Sequence, residues 1–474
     1  MLFKQPKPFY MIFFIEMWER FGFYGMQAIM VLYLVKQMGF SDAESFNTYS
    51  AFTALIYSVI AIGGYIGDNI LGTKRTILLG AIFLALGYAI LGFPNPNSMY
   101  FGMGMIVVGN GFFKANPSSL LSKCYSENDP RLDGAFTLYY MAINIGSLFS
   151  MLLVPVIVSY TNWQVGFSIC AAGLLVGIAN YFYFYKTVKN IDSEPGKQPL
   201  RFKTLLVIIV GGLVVAGVAS YVLRHLIIAH IVLILMAVSI LYLFFAEIGR
   251  SEPELRGKLI AALILIIQGM IFFILYQQMP TSLNFYAINN VQHSIMGFAV
   301  NPLSFQALNP FWIFIMSPIL AWGYTKLGAK NKDLSMPSKF TLGITLCSLS
   351  FLVLALSRYF GNAQGIVSSW WIIFSYFLQS TGELLVSGLG LAMVAHLVPQ
   401  RLMGFIMGAW FMGSASGIIL GGMIAGLTNV PSNIAPGVYS LNLYASVFEK
   451  IGFGSLIIAV IMAIFIPKLK KMMQ

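Results

Sequence analysis

Apolar stretches of about 20 residues recur along almost the whole of this 474-residue chain, and that repetition leaves it few possible folds. Each stretch is long enough to cross a hydrocarbon core of about 30 Å as a helix. Within lipid every backbone N–H and C=O must be satisfied inside the segment or in a closed barrel, and runs of this length select helices. Charged residues make up 9% of the sequence, against about 25% in soluble domains, and the mean hydropathy is +0.81. We read fourteen spans: 9–35, 48–70, 75–93, 99–122, 134–158, 163–186, 203–222, 227–246, 258–280, 303–325, 339–357, 367–395, 402–427 and 442–466. The expected fold class is an all-α integral membrane protein. Pro6-Lys7-Pro8 runs straight into the first span, so no cleavable leader is expected.

The net charge of +12 is mostly explained by topology. Of the 28 Lys and Arg, Arg20 and Lys114 lie inside spans. With the amino terminus placed inside, only Lys36, Arg224, Arg358 and Lys450 face outward, and the other 22 fall on the cytoplasmic side. That bias predicts cytoplasmic termini. A nucleic-acid partner would need a clustered basic face with polar or aromatic readers, and the sequence shows none. Cys124, Cys170 and Cys347 have no disulfide or metal-ligand spacing, so no metal or cofactor is expected. His225, His230, His293 and His396 fall outside the central spans and read as ordinary polarity.

The first span carries Glu16, Glu19 and Arg20, at i, i+3 and i+4 on one helical face. A charge at the bilayer centre costs about 2.5–3.5 kcal/mol even on the lenient insertion scale. Three on one helix must therefore face protein or a water-filled cavity, which marks a transport or ion site. Two further ionisable residues lie well inside spans, Lys114 in the fourth and Glu383 in the twelfth. Cations in the amino-terminal half and a carboxylate in the carboxy-terminal half suit a zwitterion, its carboxylate on Arg20 and Lys114 and its ammonium on Glu383. Without substrate, Lys114 and Glu383 are able to pair and close one face. Any driving proton then falls to Glu16, Glu19 or Glu383.

The loop Gly64-Tyr65-Ile66-Gly67-Asp68-Asn69-Ile70-Leu71-Gly72-Thr73-Lys74-Arg75 resembles the signature loop of the major facilitator superfamily. Asp68 takes a conformational role there, capping or pairing with a neighbouring helix end. A degraded copy, Gly323-Tyr324-Thr325-Lys326-Leu327-Gly328-Ala329-Lys330, begins between the tenth and eleventh spans. Gly72 and Gly328 are 256 residues apart, and removing Thr187 to Gly257 (71 residues) leaves 185, enough for six helices. The expected organisation is a six-helix bundle at 1–186, a linker with an inserted helix pair at 187–257, and a second six-helix bundle at 258–474. Such repeats place substrate near the midplane at their interface.

Glu16-x-x-Glu19-Arg20-Phe21-Gly22-Phe23-Tyr24-Gly25 resembles the first-helix motif of the proton-dependent oligopeptide transporter family. Phe112-Phe113-Lys114-Ala115-Asn116-Pro117 resembles its fourth-helix lysine motif, and Tyr139-Tyr140 through Asn144 and Gly146-Ser147 its fifth-helix signature. Gly382-Glu383-Leu384 resembles its late acidic motif, and the likeness covers the whole chain, nearest to enterobacterial members. The resemblance implies proton-coupled symport of di- and tripeptides into the cytoplasm by alternating access. It implies Arg20 and Lys114 on the peptide carboxylate beside Tyr24 and Tyr57. Asn144, Asn309 and Glu383 would surround the peptide amino terminus, Trp410 would line side-chain pockets, and Glu16 and Glu19 with Arg20 would couple the proton. Phe23 departs from a common tyrosine, Gln27 from an arginine, and residues 258–280 hold no acid, so an outer-gate salt bridge is not expected. Nor does the second helix carry the histidine proposed as a proton site in animal members.

Peptides, protons and the bilayer are thus the expected partners, and the single chain the functional unit. The alternative on the same fold is a facilitator-type carrier of nitrate, sugar or a drug. An enzyme is not expected, because no nucleophile–base pair, metal cluster or soluble output domain is present in the sequence.

Overall fold

The computed structural model describes residues 5–125, 131–328, 334–397, 400–431 and 433–473. Lys4, Lys330 and Lys332 lie outside them, as do the end of the loop copy and the side chains of His396 and Arg401. Fourteen helices of at least 19 residues run through the described residues. They are α1 (Lys7–Lys36), α2 (Asp42–Ile66), α3 (Thr73–Leu91), α4 (Pro96–Lys114), α5 (Leu132–Tyr160), α6 (Trp163–Phe184) and α7 (Phe202–Arg224). The series continues with α8 (Leu226–Arg250), α9 (Pro253–Tyr276), α10 (Leu308–Gly328), α11 (Met336–Leu356), α12 (Ser369–Leu397), α13 (Gln400–Ala425) and α14 (Val438–Met472). Eleven of these are apolar and long enough to cross a membrane by composition and length alone. Of the other three, α1 holds Glu16, Glu19 and Arg20 and α4 holds Lys114, while α12, which holds Glu383, has several side chains outside the described residues. A two-stranded hairpin, Ser294–Ile295 against Phe298–Ala299, is the sheet in the described residues.

Two spans differ from the sequence reading for local reasons. α2 starts six residues before residue 48 because Ser41 Oγ accepts the N–H of Glu44 at 3.2 Å and caps the helix. The fourth span, read as one helix over 99–122, is broken: α4 stops at Lys114 and a short helix, Asn116–Ser122, follows. Pro117 has no N–H to donate and its ring crowds the carbonyl of Phe113, so the ladder cannot pass through. Asn116 covers part of the gap, donating to Phe112 O at 2.6 Å and to Gly63 O at 3.2 Å.

Packing divides the chain into two compact units, Met1–Gly39 with Leu55–Leu226, and Phe40–Ala54 with Ile227–Gln474. In the first, α1 nests between α5 and α6. Gly146 of α5 meets the backbone of Met17, a position with no room for a Cβ, and Gly25 of α1 stands close against the side chains of Val154 and Cys170. α7 packs on α4, with Gly104 against the backbone of Ala216. In the second unit, α9 packs on α13 and α11 on α12 and α14. The start of α2 joins this unit through Phe46 on Phe285 (ring centroids 5.0 Å apart) and Ser50, which accepts from Gln277 Nε2 at 2.9 Å. The helix pair α7 and α8 is thus shared out, α8 packing in the second unit through Phe244 on Phe405.

Candidate functional site

In the first unit the i, i+3, i+4 spacing on α1 brings its three charges together. Arg20 Nε lies 3.3 Å from Glu16 Oε1 and 2.5 Å from Glu19 Oε2, and all three side chains are at most 4% exposed. The second oxygens of both glutamates and Nη2 of Arg20 are buried with no hydrogen-bond partner among the described residues. Buried polar atoms are expensive to leave unpaired, so these three atoms mark a place for water, a proton or a ligand. Phe23 lies 5.4 Å from the Arg20 guanidinium, so the ring that replaces a tyrosine still touches the cation, through its face. Tyr139 of α5 stands against the Glu16 carboxylate.

Lys114 is the last residue of α4, and its Nζ sits over the Tyr57 ring at 4.3 Å. Close approach of α2 and α4, where Gly63 meets the backbone of Gly111, sets that contact. The break after Lys114 leaves terminal carbonyls beside a cation, the favourable end of the helix dipole. Arg20, Glu16 and Glu19 are the charges that act on Lys114, so four ionisable groups with no net formal charge share one electrostatic site. Tyr24, next to Phe23 on α1, also acts on Arg20. Asn144 on α5 is buried and donates to Tyr140 O at 2.8 Å.

In the second unit Asn309 Nδ2 donates to Glu383 Oε2 at 2.7 Å and to Ser380 Oγ at 3.1 Å, tying α10 to α12. Glu383 is not fully enclosed, and among the described residues no cation pairs with it inside this unit. Trp410 of α13 is 4% exposed and wedged over Gly269 and Gly390, between the rings of Phe273 and Phe340. Its environment is that of a packed aromatic.

Asp68 lies away from these groups, in the π-helical turn Gly67–Leu71 that ends α2. It accepts from Lys123 Nζ at 3.0 Å and from Ser119 Oγ at 3.3 Å, and Lys123 also reaches Thr73 Oγ1 at 3.2 Å. The segment after α6 is clasped to the same loop. Ser193 Oγ donates to Gly67 O at 2.7 Å, Lys74 Nζ to Val188 O at 2.6 Å, and Arg75 Nη2 to Gln198 O at 2.7 Å. Sequence reasoning quoted Tyr139 in a motif without a role and missed Lys123 and Ser193 as partners of the loop. Among the described residues no group of three or more His, Cys, Asp or Glu could hold a metal ion.

Known proteins match this chain over its full length. The family model described as PTR2, the POT family, matches residues 74–441. Dipeptide and tripeptide permease B of Salmonella typhimurium is 53% identical over 475 residues, covering 100% of this chain and 97% of the relative. The protein of the same name from Aliivibrio fischeri is 51% identical over 473 residues, covering 99% of this chain and 96% of its own length. Among solved structures, tetrameric PepTSo2 aligns with a TM-score of 0.90 at 39% identity, over 98% of this chain and 100% of that one. A peptide transporter POT in complex with sulfate aligns with a TM-score of 0.86 at 28% identity, over 100% of this chain and 97% of that one.

Proposed function

Because the chain belongs to the POT family, we propose that it carries di- and tripeptides into the cytoplasm in symport with protons, by alternating access. Its fold is that of the major facilitator superfamily, and it is a multi-pass membrane protein. The observation that carries the proposal is the segregation of buried charge by unit. The first unit holds Arg20 and Lys114 with their two glutamates, and the second holds Glu383 on Asn309. A peptide with free ends presents the complementary pair of charges.

In this reading the peptide carboxylate takes Arg20 and Lys114, beside Tyr24 and Tyr57. The ammonium takes Glu383, with Asn309 and Asn144 as neutral partners, and Trp410 shapes a side-chain pocket from within its packing. Glu16 and Glu19 couple the proton. With both ionised, Glu16 and Glu19 share Nε of Arg20; protonating one loosens that hold and turns the guanidinium, with its unpartnered Nη2, to the peptide carboxylate. Asp68 serves the conformational loop. Six-helix bundles at 1–186 and 258–474 are the moving halves, with 187–257 inserted between them. The termini face the cytoplasm of a bacterial inner membrane, and one chain is the transporting unit.

Proteoliposomes test this directly. Dilution into acidic buffer should drive accumulation of labelled dialanine, with unlabelled dialanine and trialanine competing and free alanine not. Uptake indifferent to the pH gradient would remove the coupling. Competition by free alanine, nitrate or a sugar would move the chain to the facilitator reading.

A further inference from the structure

Two cavities of the first unit lie one helical turn apart on the same helices, and their chemistry changes from cationic to apolar. The first, about 350 Å³, is lined by Asn69, Arg75, Arg201 and Thr204 among others. The second, about 300 Å³, is lined by Ile62 and Ile66 of α2, Phe112 of α4, and Val207, Gly211 and Val215 of α7. Ile66 precedes Asn69, and Thr204 precedes Val207, by three residues in each case, which is about one turn.

We infer that these adjoining cavities bind one anionic phospholipid, its phosphate in the cationic cavity and one acyl chain in the apolar crevice. The anion end is built from several parts. Arg201 is the residue before α7, is exposed, and makes no side-chain ion pair or hydrogen bond among the described residues. No side chain caps α7, and Arg201 and Thr204 at its start line this end, so the helix meets the cavity at its amino terminus, the favourable end for a phosphate. Arg75 adds a second guanidinium, fixed in place by its bonds to the carbonyls of Pro195 and Gln198. The one acid on the wall, Glu194, is paired with Lys197 at 2.7 Å, which holds its carboxyl below the usual range, and it stands against the two guanidiniums of Arg75 and Arg201.

The apolar end has the right depth. From Thr204 to Val215 α7 rises about 16 Å, close to half of a hydrocarbon core of about 30 Å. Gly211 has nothing within 4 Å of where a Cβ would stand, so the crevice is open along α7. A polar cavity alone would suit free phosphate and an apolar crevice alone any acyl chain. Their stacking on one helix pair selects a molecule that has both. The assignment to the cytoplasmic leaflet rests on the topology proposed above; the binding itself does not. Basic pockets between helices at that face are where anionic headgroups gather. Bound there, the lipid bridges α7, the end of α2 and the clasped segment after α6.

Native mass spectrometry of the purified full chain tests the inference, with phosphatidylglycerol, phosphatidylcholine and inorganic phosphate as probes. Phosphatidylglycerol should bind about tenfold more tightly than phosphatidylcholine, and millimolar inorganic phosphate should not displace it. Arg201→Gln should abolish the preference for the anionic lipid. Gly211→Leu, whose side chain enters the open crevice, should weaken both lipids. Both variants should keep the wild-type thermal midpoint in lipid-free detergent, which separates loss of the site from loss of the fold. Equal affinity for the two lipids, displacement by inorganic phosphate, or an unchanged preference in Arg201→Gln would each overturn the inference. The readout needs no transport, so its failure is distinct from failure of the peptide reading.

Discussion

At the scale of single residues, the site's two charged poles are held by different means, and their variants should fail differently. Glu383 is oriented by Asn309, and Gln in its place keeps the shape while removing the counter-charge for an ammonium. A hydrogen bond to a charged group is worth about 1.5–3 kcal/mol, so Glu383→Gln should weaken dipeptide binding by about 10- to 150-fold. Competition binding in detergent checks this, and full affinity would remove Glu383 from the peptide site. Glu19 shares Arg20 with Glu16, and Glu19→Gln makes permanent the neutral state that protonation gives transiently. That variant should keep peptide counterflow exchange and lose accumulation driven by a pH gradient. Gradient-driven uptake at the wild-type rate would take Glu19 off the proton path. The cluster on α1 was legible because its partners are one helical turn apart, within reach of a periodicity argument. Tyr139 on Glu16 and Asn309 on Glu383 were not derivable in that way. Those pairs are separated by 123 and 74 residues, and only tertiary packing brings them together.

At the scale of elements, the fourteen spans could be read from apolarity, while their ends depended on chemistry that apolarity ignores. Ser41 and Glu44 stand at capping-box spacing, and Pro117 follows Lys114 by three residues, so both corrections had a sequence signal. The turn between α2 and α3 had a clearer one. Gly72 adopts φ +100°, a conformation other residues rarely hold, and a Cβ there would strike the backbone of Gly196 in the clasped segment. Gly72→Ala should therefore destabilise the protein by about 2 kcal/mol or more, through the left-handed penalty and the displaced segment together. A thermal midpoint in detergent measures it, and an unchanged midpoint would mean that the clasp adds nothing to stability.

At the scale of the whole molecule, each unit holds its own charged pole, and the residues assigned to substrate are all present in one chain. A nanodisc with a single copy should accordingly bind dialanine as tightly as any larger assembly, although the relative PepTSo2 is described as tetrameric. Binding that appears only above one copy per disc would contradict the single-chain reading. The division into units also has a consequence for how the protein is made. Every partner in the clasp, from Gly67 to Gln198, has been synthesised by the time α7 begins. The first unit can tie its loop while the 248 residues after Leu226 are still to be translated, about 12–50 s at ordinary elongation rates. The start of α2 packs on residues made much later. Phe46 and Ser50 must wait for Phe285 and Gln277, more than 220 residues later, so this stretch is the nascent chain's longest-standing debt to its own carboxy-terminal half.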